Sequence, residues 1–526
     1  MQNNDIDSAL DRYQQYCNLS GKYDFETLQQ MGLIMLHKGA LSEDPQVYHM
    51  TLFGAGISGS SQALEILEKG LYSEDPQIQL LALHFISQIE DDRTHDLLES
   101  AMGSNYLSTR MEAAFYMAQK KHPHALGQIE GLMLRLPPAF KAYFPTFFVL
   151  LGTSDATNTV KRLLEDIDPN VRIESILNVA RAGRDDFLPI LRRRLTQSHI
   201  AENEAAIFAV GVLKDSSSQA KLKKLSLSPI DSIKLAASHA LLQLGDRSAV
   251  PQMIEMANHH NLFAILSLGA VSGSEDTLAE LTRSNDIQVK LNATLALLQR
   301  RDPRCLATLY DILITDSRDL AFHPMGSMGR TLVAFKAVPS AELRAKDPTI
   351  DLSYSMALRE QFLKEAVHLP EESFLQLART IFQKQQNDLV PTTISLLENL
   401  RTENAIALLK EGTKKIGAPL IRDYCHLSLY RLKVEGPYEE YINYWVGEQK
   451  HTELIRLRPL LPWKYRMEQA DYTLSAEETS RLLIDSFLAI ANRRDEKSIA
   501  LLLNAMQHGN PQNRYALMGL LMRSTE

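Results

Sequence analysis

The sequence repeats itself with a period of 31 residues. The pentapeptide SEDPQ begins at Ser42 and again at Ser73, and 73 − 42 = 31. Residues separated by this period form columns whose members have the same chemical character. Two of these columns are apolar in all seven copies. They are Ala55, Ile86, Met117, Phe148, Val179, Val210 and Leu241, and then Leu67, Leu98, Ile129, Val160, Leu191, Leu222 and Met253. A chain with this register is built from one small structural unit set side by side many times.

Each repeat carries the signals of two helices. Aspartate directly before proline, at Asp44, Asp75 and Asp168, predicts a helix start, because the carboxylate caps free backbone N–H groups and proline tolerates the first helical position. A further helix, such as residues 60–71, carries the Leu67 column. One helix pair can bury its apolar stripes only against the next pair. The sequence therefore predicts an all-α fold, a right-handed α-solenoid of stacked antiparallel helix pairs.

A column of small residues shows how closely the pairs can stack. It is small in six of seven copies: Thr51, Ala82, Ala113, Phe144, Ser175, Ala206 and Ala237. It lies four residues before the Ala55 column and so shares one helix face with it. Small side chains on that face let a neighbouring helix approach closely.

The repeats resemble those of a known family. The matching segments are DPNVRIESILNVARAGR from Asp168, DSIKLAASHALLQLGD from Asp231 and DIQVKLNATLALLQRRD from Asp286. They are similar to HEAT repeats, most closely the subtype named after phycobilisome lyases, whose second helix opens with Asp-Pro-x-Val-Arg. The resemblance implies an armadillo-like α-solenoid. It implies no single activity, because that family includes scaffolds, transport factors, adaptors and a few enzymes.

Breaks in the register predict four segments along the chain. We expect N-terminal helices and a partial repeat in 1–41, regular repeats in 42–313, an insertion in 314–351 and degenerate repeats in 352–526. The insertion is rich in glycine, proline and Asp-Pro turns and has no continuous helical stripe. Insertions in repeat proteins often carry contacts, and the alternative is a surface loop without a role.

Composition limits the classes of function. Lysine plus arginine, 56, against aspartate plus glutamate, 64, gives a net charge of −8, which disfavours a protein that coats nucleic acid or anionic membranes. Three cysteines lie far apart without a CxxC spacing, which fits a reducing compartment. The most apolar run, from Phe144, is too short to span a bilayer. We expect a cytoplasmic protein without a membrane span.

Several motifs mimic catalytic or cofactor sites. GAGISG, residues 54–59, fits a dinucleotide-binding pattern, but its position in the register predicts a glycine-containing helix end instead. His122 and His124, and His259 and His260, lie at predicted turns, with no third metal ligand spaced to join either pair. HExxH, GxSxG and GxxxxGK[ST] are absent from the sequence. We therefore expect no catalytic residue, no cofactor and no metal.

Two groups of residues are candidates for binding a partner. The first is a basic column, Arg110, Lys141, Arg172 and Lys234, at the starts of helices, where a cation opposes the helix dipole. Such side chains either form a ladder with turn carboxylates (Asp75, Asp166 or Asp168, Asp231 and Asp286) or line a binding stripe. The second candidate interleaves basic and aromatic side chains: Arg456, Arg458 and Trp463, with Trp445 nearby. The alternative is an irregular segment between helices whose tryptophan packs on the core.

These observations favour a non-enzymatic scaffold or adaptor that binds a protein partner, of unknown identity, on an extended solenoid surface. Two alternatives stay open. The resemblance to lyase-type repeats implies an enzyme that handles a bilin, and some HEAT-like proteins grip the nucleic-acid backbone with a basic groove. Bilin absorption in a mixture with the protein, and a salt-dependent gel shift, discriminate between them.

The repeat interpretation predicts the circular dichroism spectrum. If helix pairs make up nearly the whole chain, the far-ultraviolet spectrum shows strong helical bands and little sheet. A substantial sheet contribution would contradict the interpretation.

Overall fold

Helices make up most of the structure. The computed structural model describes residues 6–314, 319–346, 353–415, 419–457, 460 and 478–525. The chain divides into two compact units: unit 1 joins Met1–Ile129 to Leu409–Glu526, and unit 2 is Glu130–Leu408. The predicted all-α fold of stacked antiparallel helix pairs is confirmed. The four segment bounds read from the sequence stay a prediction.

Among the described residues, twenty α-helices precede residue 315. They are α1 (Ile6–Ser20), α2 (Phe25–Gly39), α3 (Pro45–Ser58), α4 (Leu64–Leu71), α5 (Pro76–Gln88), α6 (Arg93–Ala101), α7 (Leu107–Gln119), α8 (Ala125–Arg135), α9 (Phe144–Leu151), α10 (Ser154–Leu164), α11 (Pro169–Arg181), α12 (Leu188–Arg194), α13 (Ile200–Val212), α14 (Gln219–Leu225), α15 (Asp231–Gln243), α16 (Val250–Asn258), α17 (Leu262–Ser267), α18 (Glu275–Leu281), α19 (Ile287–Gln299) and α20 (Leu306–Ile314).

Two strands and ten further helices follow. They are β1 (Leu320–Gly326), β2 (Val333–Pro339), α21 (Ser340–Lys346), α22 (Ser353–Ala366), α23 (Glu371–Gln383), α24 (Val390–Leu400), α25 (Glu403–Lys415), α26 (Pro419–Arg431), α27 (Tyr438–Tyr444), α28 (Glu478–Ala491), α29 (Glu496–His508) and α30 (Arg514–Thr525). We call the odd-numbered helices from α3 to α19 the leading helices and the even-numbered helices from α4 to α20 the trailing helices.

The predicted helix starts are confirmed. The side chains of Asp44, Asp75, Asp168 and Asp286 each accept a hydrogen bond, at 2.8 to 2.9 Å, from the backbone N–H two residues later. A proline occupies the first turn of α3, α5 and α11. The caps satisfy donors that a helix terminus otherwise leaves unpaired, which is why α3, α5 and α11 begin where the Asp-Pro pairs stand.

The repeat columns form the core. Every member of the Ala55 column and of the Leu67 column is at most 1% exposed, and every member of the small column is fully buried. Within unit 2, α9, α11, α13 and α15 each contact the next, as do α17 and α19. A fully buried aliphatic or aromatic side chain contributes about 1.5–3 kcal/mol, so the columns supply much of the stability.

Unit 1 brings together segments from opposite ends of the sequence. Helix α30 packs against α2 and α3, and its backbone crosses that of α3 at glycine residues. A Cβ atom on Gly54 would lie 2.1 Å from the carbonyl oxygen of Tyr515, and one on Gly519 would lie 2.0 Å from the carbonyl oxygen of Gly54. The two backbones can approach this closely only because both residues lack a side chain.

The GAGISG motif is a helix-packing segment. Gly54 contacts α30, and a Cβ on Gly56 would lie 2.0 Å from the ring of Phe85. Gly59 ends α3 in the left-handed conformation, with φ of 71°. The predicted glycine-containing helix end is confirmed, and the two earlier glycines make room for neighbouring helices.

The insertion contains a β-hairpin that the sequence analysis did not predict. Strands β1 and β2 are antiparallel, with Leu320 opposite Pro339 and Gly326 opposite Val333. They lie in unit 2, and β2 contacts the leading helices α17 and α19. In retrospect, two short apolar runs around the turn sequence SMGR carry a hairpin signal.

The glycine crossing predicts an asymmetric effect of alanine. Gly54→Ala and Gly519→Ala each overpack the α3–α30 contact, at a cost of about 1–3 kcal/mol. Gly127→Ala in α8, where a Cβ would meet nothing within 4 Å, is the matched control and should be neutral or slightly stabilising. Thermal unfolding measures the difference. Equal melting of Gly54→Ala and Gly127→Ala would contradict the close crossing.

Candidate functional site

The hairpin lies on the leading helices of unit 2 and makes specific polar contacts with them. Side chains of α11, α13 and α19 bond its strand and its turn. We call these side chains the strand-holding surface: Asn170, Glu174, Glu204, Gln288 and Asn292. All five lie in unit 2.

Two amide side chains on α19 hold the free edge of β2. Gln288 Nε2 donates to the carbonyl oxygen of Ala337 at 2.7 Å, and its Oε1 accepts from the N–H of the same residue at 2.9 Å. Asn292 makes the same pair of bonds to Phe335, at 2.7 and 2.8 Å. The carboxamides take the place of a neighbouring strand.

The spacing of the two amides matches the spacing of a strand. Residues four apart on a helix rise about 6 Å, and residues two apart on a strand rise about 6.6–6.8 Å. Gln288 and Asn292 therefore meet alternate residues of β2, whose backbone groups face the same edge. Their bonds go to backbone atoms, so the bonds themselves specify no side chain, and any size limit at these positions comes from packing.

The hairpin turn satisfies a buried carboxylate. Glu204 is fully buried on α13. It accepts hydrogen bonds from the hydroxyl of Ser327, from the hydroxyl of Thr331 at 2.5 Å and from the backbone N–H of Gly329 at 3.2 Å. A buried carboxylate without such donors carries a large desolvation cost. The turn and Glu204 therefore depend on each other.

Glycine at position 329 is required by the close approach of the turn. A Cβ there would lie 2.8 Å from the carbonyl oxygen of Ala201 on α13. The next residue, Arg330, has a positive φ of 58° and donates to Glu174 and, at 2.8 Å, to Asn170. The tip of the hairpin is thus fastened to both α11 and α13.

Apolar contacts complete the docking of the hairpin. Ala334 and Ala337 on β2 are 0% and 2% exposed, and Phe322 on β1 is 2% exposed. The rings of Phe335 and Phe362 meet edge to face, with centroids 5.2 Å apart. Because these two alanines are three residues apart, they face opposite sides of β2, and both sides are therefore covered.

Sequence reasoning missed this surface, although one signal pointed to it. At the 31-residue period the column through Glu204 reads His49, Leu80, Met111, Ala142, Ile173, Glu204 and Leu235. An acid in a mostly apolar column of buried helices needs hydrogen-bond donors from outside the helix stack. The long-range donors at 327–331 could not be read from the repeat.

Two members of the basic column pair with carboxylates outside their own helix. Lys141 Nζ lies 2.5 Å from Asp166, and Arg172 bonds Glu202 at 2.7 Å and the carbonyl oxygen of Asp166 at 2.7 Å. The Lys141–Asp166 pair is a contact of the ladder kind, whereas Glu202 is an acceptor that the sequence did not suggest.

Lys234 and Arg110 differ from the other two members of the column. Lys234 lies 3.5 Å from Asp231 on its own helix. Arg110 has a buried Nε without a hydrogen-bond partner among the described residues. The role of the column in binding a partner stays a prediction.

Glu202 is the centre of this charge network in unit 2. Its side chain is 1% exposed and is bonded by Arg172 and, at 2.6 Å, by Arg194. Burial by itself would raise the pKa of Glu202, but the two guanidinium groups outweigh burial and hold that pKa below its usual value. These cations are therefore committed to structural pairs.

The second predicted binding group is only partly within the described residues. Trp445 is 2% exposed in unit 1, and its indole N–H donates to Asp423 at 3.2 Å. Its ring packs in the core. Arg456 is described, whereas Arg458 and Trp463 lie outside the described residues.

A histidine cluster in unit 1 gathers three candidate metal ligands. Glu99 on α6 joins His122 and His124, with their ligand atoms within 4.8 Å of one another, although the sequence suggested no third ligand. Glu99 accepts from His124 Nδ1 at 2.9 Å and lies 3.9 Å from His122 Nε2. The hydrogen bond from His124 holds the pKa of Glu99 below its usual value.

The hydrogen bonds of His122 favour a structural role. Its Nδ1 accepts the backbone N–H of His124 at 3.1 Å, so we assign the proton of the neutral ring to Nε2, the nitrogen that faces Glu99. Burial lowers the pKa of His122, which keeps the ring neutral. A metal would need the Nε2 lone pair, which this tautomer does not offer.

Comparisons with known proteins were made for fold and function. A scan against protein-family models finds no match, and a search of curated proteins finds none. Among the described residues, no helix is long and apolar enough to cross a membrane.

Similar solved structures are helical repeat proteins. One is the complex of CpcE and CpcF of phycocyanin lyase from Nostoc sp. PCC7120, with 18% identity over 42% of this chain and 94% of that chain and a TM-score of 0.30. Another is the karyopherin Kap121p bound to the extreme C-terminus of the protein phosphatase Cdc14p, with 13% identity over 94% and 57% and a TM-score of 0.40. Kap121p alone has 12% identity over 94% and 58%, with a TM-score of 0.39.

The fold is that of a HEAT-like repeat protein. That statement rests on the chain's own stacked helix pairs, because similarity at these identities concerns the fold alone. This chain spans less than two thirds of the length of the two Kap121p chains.

The charge pairs predict unequal effects of two substitutions. Arg172→Gln leaves the buried Glu202 with one guanidinium fewer and costs about 1–3 kcal/mol. Lys234→Gln removes a 3.5 Å contact with a carboxylate that is 69% exposed, and costs about 0–1 kcal/mol. Thermal unfolding compares them. If Arg172→Gln melts like the parent but loses a partner, the column is a binding stripe instead.

Proposed function

We propose that the chain is a non-enzymatic scaffold that binds a protein partner on the leading helices of unit 2. The observation that supports this function is the strand-holding surface, where Gln288 and Asn292 bond the backbone of an extended strand. Backbone-directed bonds with alternate strand residues are a general way for proteins to hold an extended polypeptide.

The polar groups of this surface suit a polypeptide better than a nucleic acid. Glu174 and Glu204 are acids, and the surface also offers amides. Carboxylates repel phosphate, and the chain has a net charge of −8. Three of the basic side chains nearby, Lys141, Arg172 and Arg194, are already paired with carboxylates.

We place the protein in the cytoplasm as part of the same proposal. Cys17, Cys305 and Cys425 are free and buried. Burial raises the pKa of the Cys305 thiol to about 12, so it stays protonated and unreactive. Free thiols of this kind fit a reducing compartment.

Site-specific photo-cross-linking tests where a partner binds. A photoreactive amino acid replaces the exposed Asn170 at the edge of the strand-holding surface, and in a control it replaces Leu134 on the trailing helix α8, which is 81% exposed. In extract of the native cell, we expect a discrete protein adduct from position 170 and none from position 134. Adducts from 134 alone, or from neither position, would contradict the proposal.

A further inference from the structure

We propose that the hairpin is a resident competitor, and that the strand-holding surface binds an extended segment of a partner protein in place of the turn and β2. The identity of the ligand as a partner segment rests on the proposed function. The properties of the site itself follow from the contacts that hold the hairpin.

The amide pairs define the first requirement for the ligand. Each of Gln288 and Asn292 uses both the N–H and the carbonyl of one strand residue. Proline has no N–H and cannot occupy either clamped position. Other residues can form these bonds, provided that they stay extended, stand two apart and meet the packing limit described next.

Burial defines the second requirement. Ala334 and Ala337 are almost fully buried on opposite faces of the strand, whereas Val333 is 45% exposed. A strand that replaces β2 therefore needs small side chains at the positions of the two alanines. Larger side chains there would overpack the sites that the two alanines fill.

The buried acid defines the third requirement. Glu204 takes two hydroxyl donors and one backbone N–H, and the turn approaches Ala201 too closely for any residue but glycine at position 329. Arg330 then pairs with Glu174. The ligand class is thus a segment in which a turn with serine or threonine, glycine and a basic residue precedes an extended strand of small and apolar residues.

The hairpin can act as a competitor because its order depends on this docking. An isolated two-stranded hairpin is marginally stable in water. Bound on the chain itself, it has an effective concentration on the order of millimolar. A partner segment therefore gains access when it binds more tightly than the hairpin or when the hairpin is weakened.

A substitution in the hairpin can weaken it without changing the surface. Gly329→Ala places a Cβ 2.8 Å from the backbone of Ala201, whereas a Cβ on Gly326 would meet nothing within 4 Å, so Gly326→Ala is the matched control. The probe is a fluorescent synthetic peptide of residues 319–346 with the native sequence, added to the full-length variants. We expect Gly329→Ala to bind it about tenfold or more tightly than the parent or Gly326→Ala, by fluorescence anisotropy.

Two further arms test the clamp itself. Adding Gln288→Ala and Asn292→Ala to the Gly329→Ala chain should weaken peptide binding at least about tenfold. A peptide N-methylated at Phe335 and Ala337 should lose affinity similarly, whereas N-methylation at Met328, which is 68% exposed, should not. Unchanged binding in the first arm or with the doubly methylated peptide would overturn the clamp.

A variant with residues 319–346 replaced by a glycine-serine linker frees the surface fully, and circular dichroism checks that it is folded. If neither this variant nor Gly329→Ala binds the peptide, the competitor proposal is overturned. The scaffold function is then still tested separately, by cross-linking at position 170. If the peptide binds and no partner cross-links there, the strand site stands and the scaffold function fails.

Discussion

A helix pair of this chain cannot bury its own apolar stripes, and every other feature of the structure depends on that constraint. Two columns must be covered by neighbours, and the small column, from Thr51 to Ala237, lets those neighbours come close enough to exclude water. A stack of this kind has ends. In unit 1 the face of α3 is covered by α30, through the crossing of Gly54 and Gly519.

Local structure was predictable because its causes are local. Asp44 caps a helix through the N–H two residues later, and the buried columns recur at a fixed period. Both the helix starts and the core positions can therefore be read from a single sequence. The α3–α30 crossing joins glycines 519 − 54 = 465 residues apart, and no periodic signal links them. The hairpin was missed for the same reason, since its amide and carboxylate partners come from other helices.

The contacts of the candidate site also divide into local ones that the sequence predicts and long-range ones that it does not. The ladder to Asp166 was predictable from register, whereas Glu202 as an acceptor required knowing how consecutive leading helices stack. Glu204 stood out only as an acid in a mostly apolar column. Its donors come from a turn more than 120 residues later, at distances that register cannot supply. Charged residues inside repeat columns are therefore the place to search for insertions that fold back.

The glycine crossing also has a consequence for synthesis on the ribosome. The face of α3 that Gly54 opens to α30 stays uncovered until the segment around Gly519 has been made. At about 5–20 residues per second, 465 residues take roughly 20–90 s, far longer than a helix takes to form. Through that interval the nascent chain carries an apolar helix face that its own neighbours cannot shield. Folding of unit 1 is thus completed only late in synthesis.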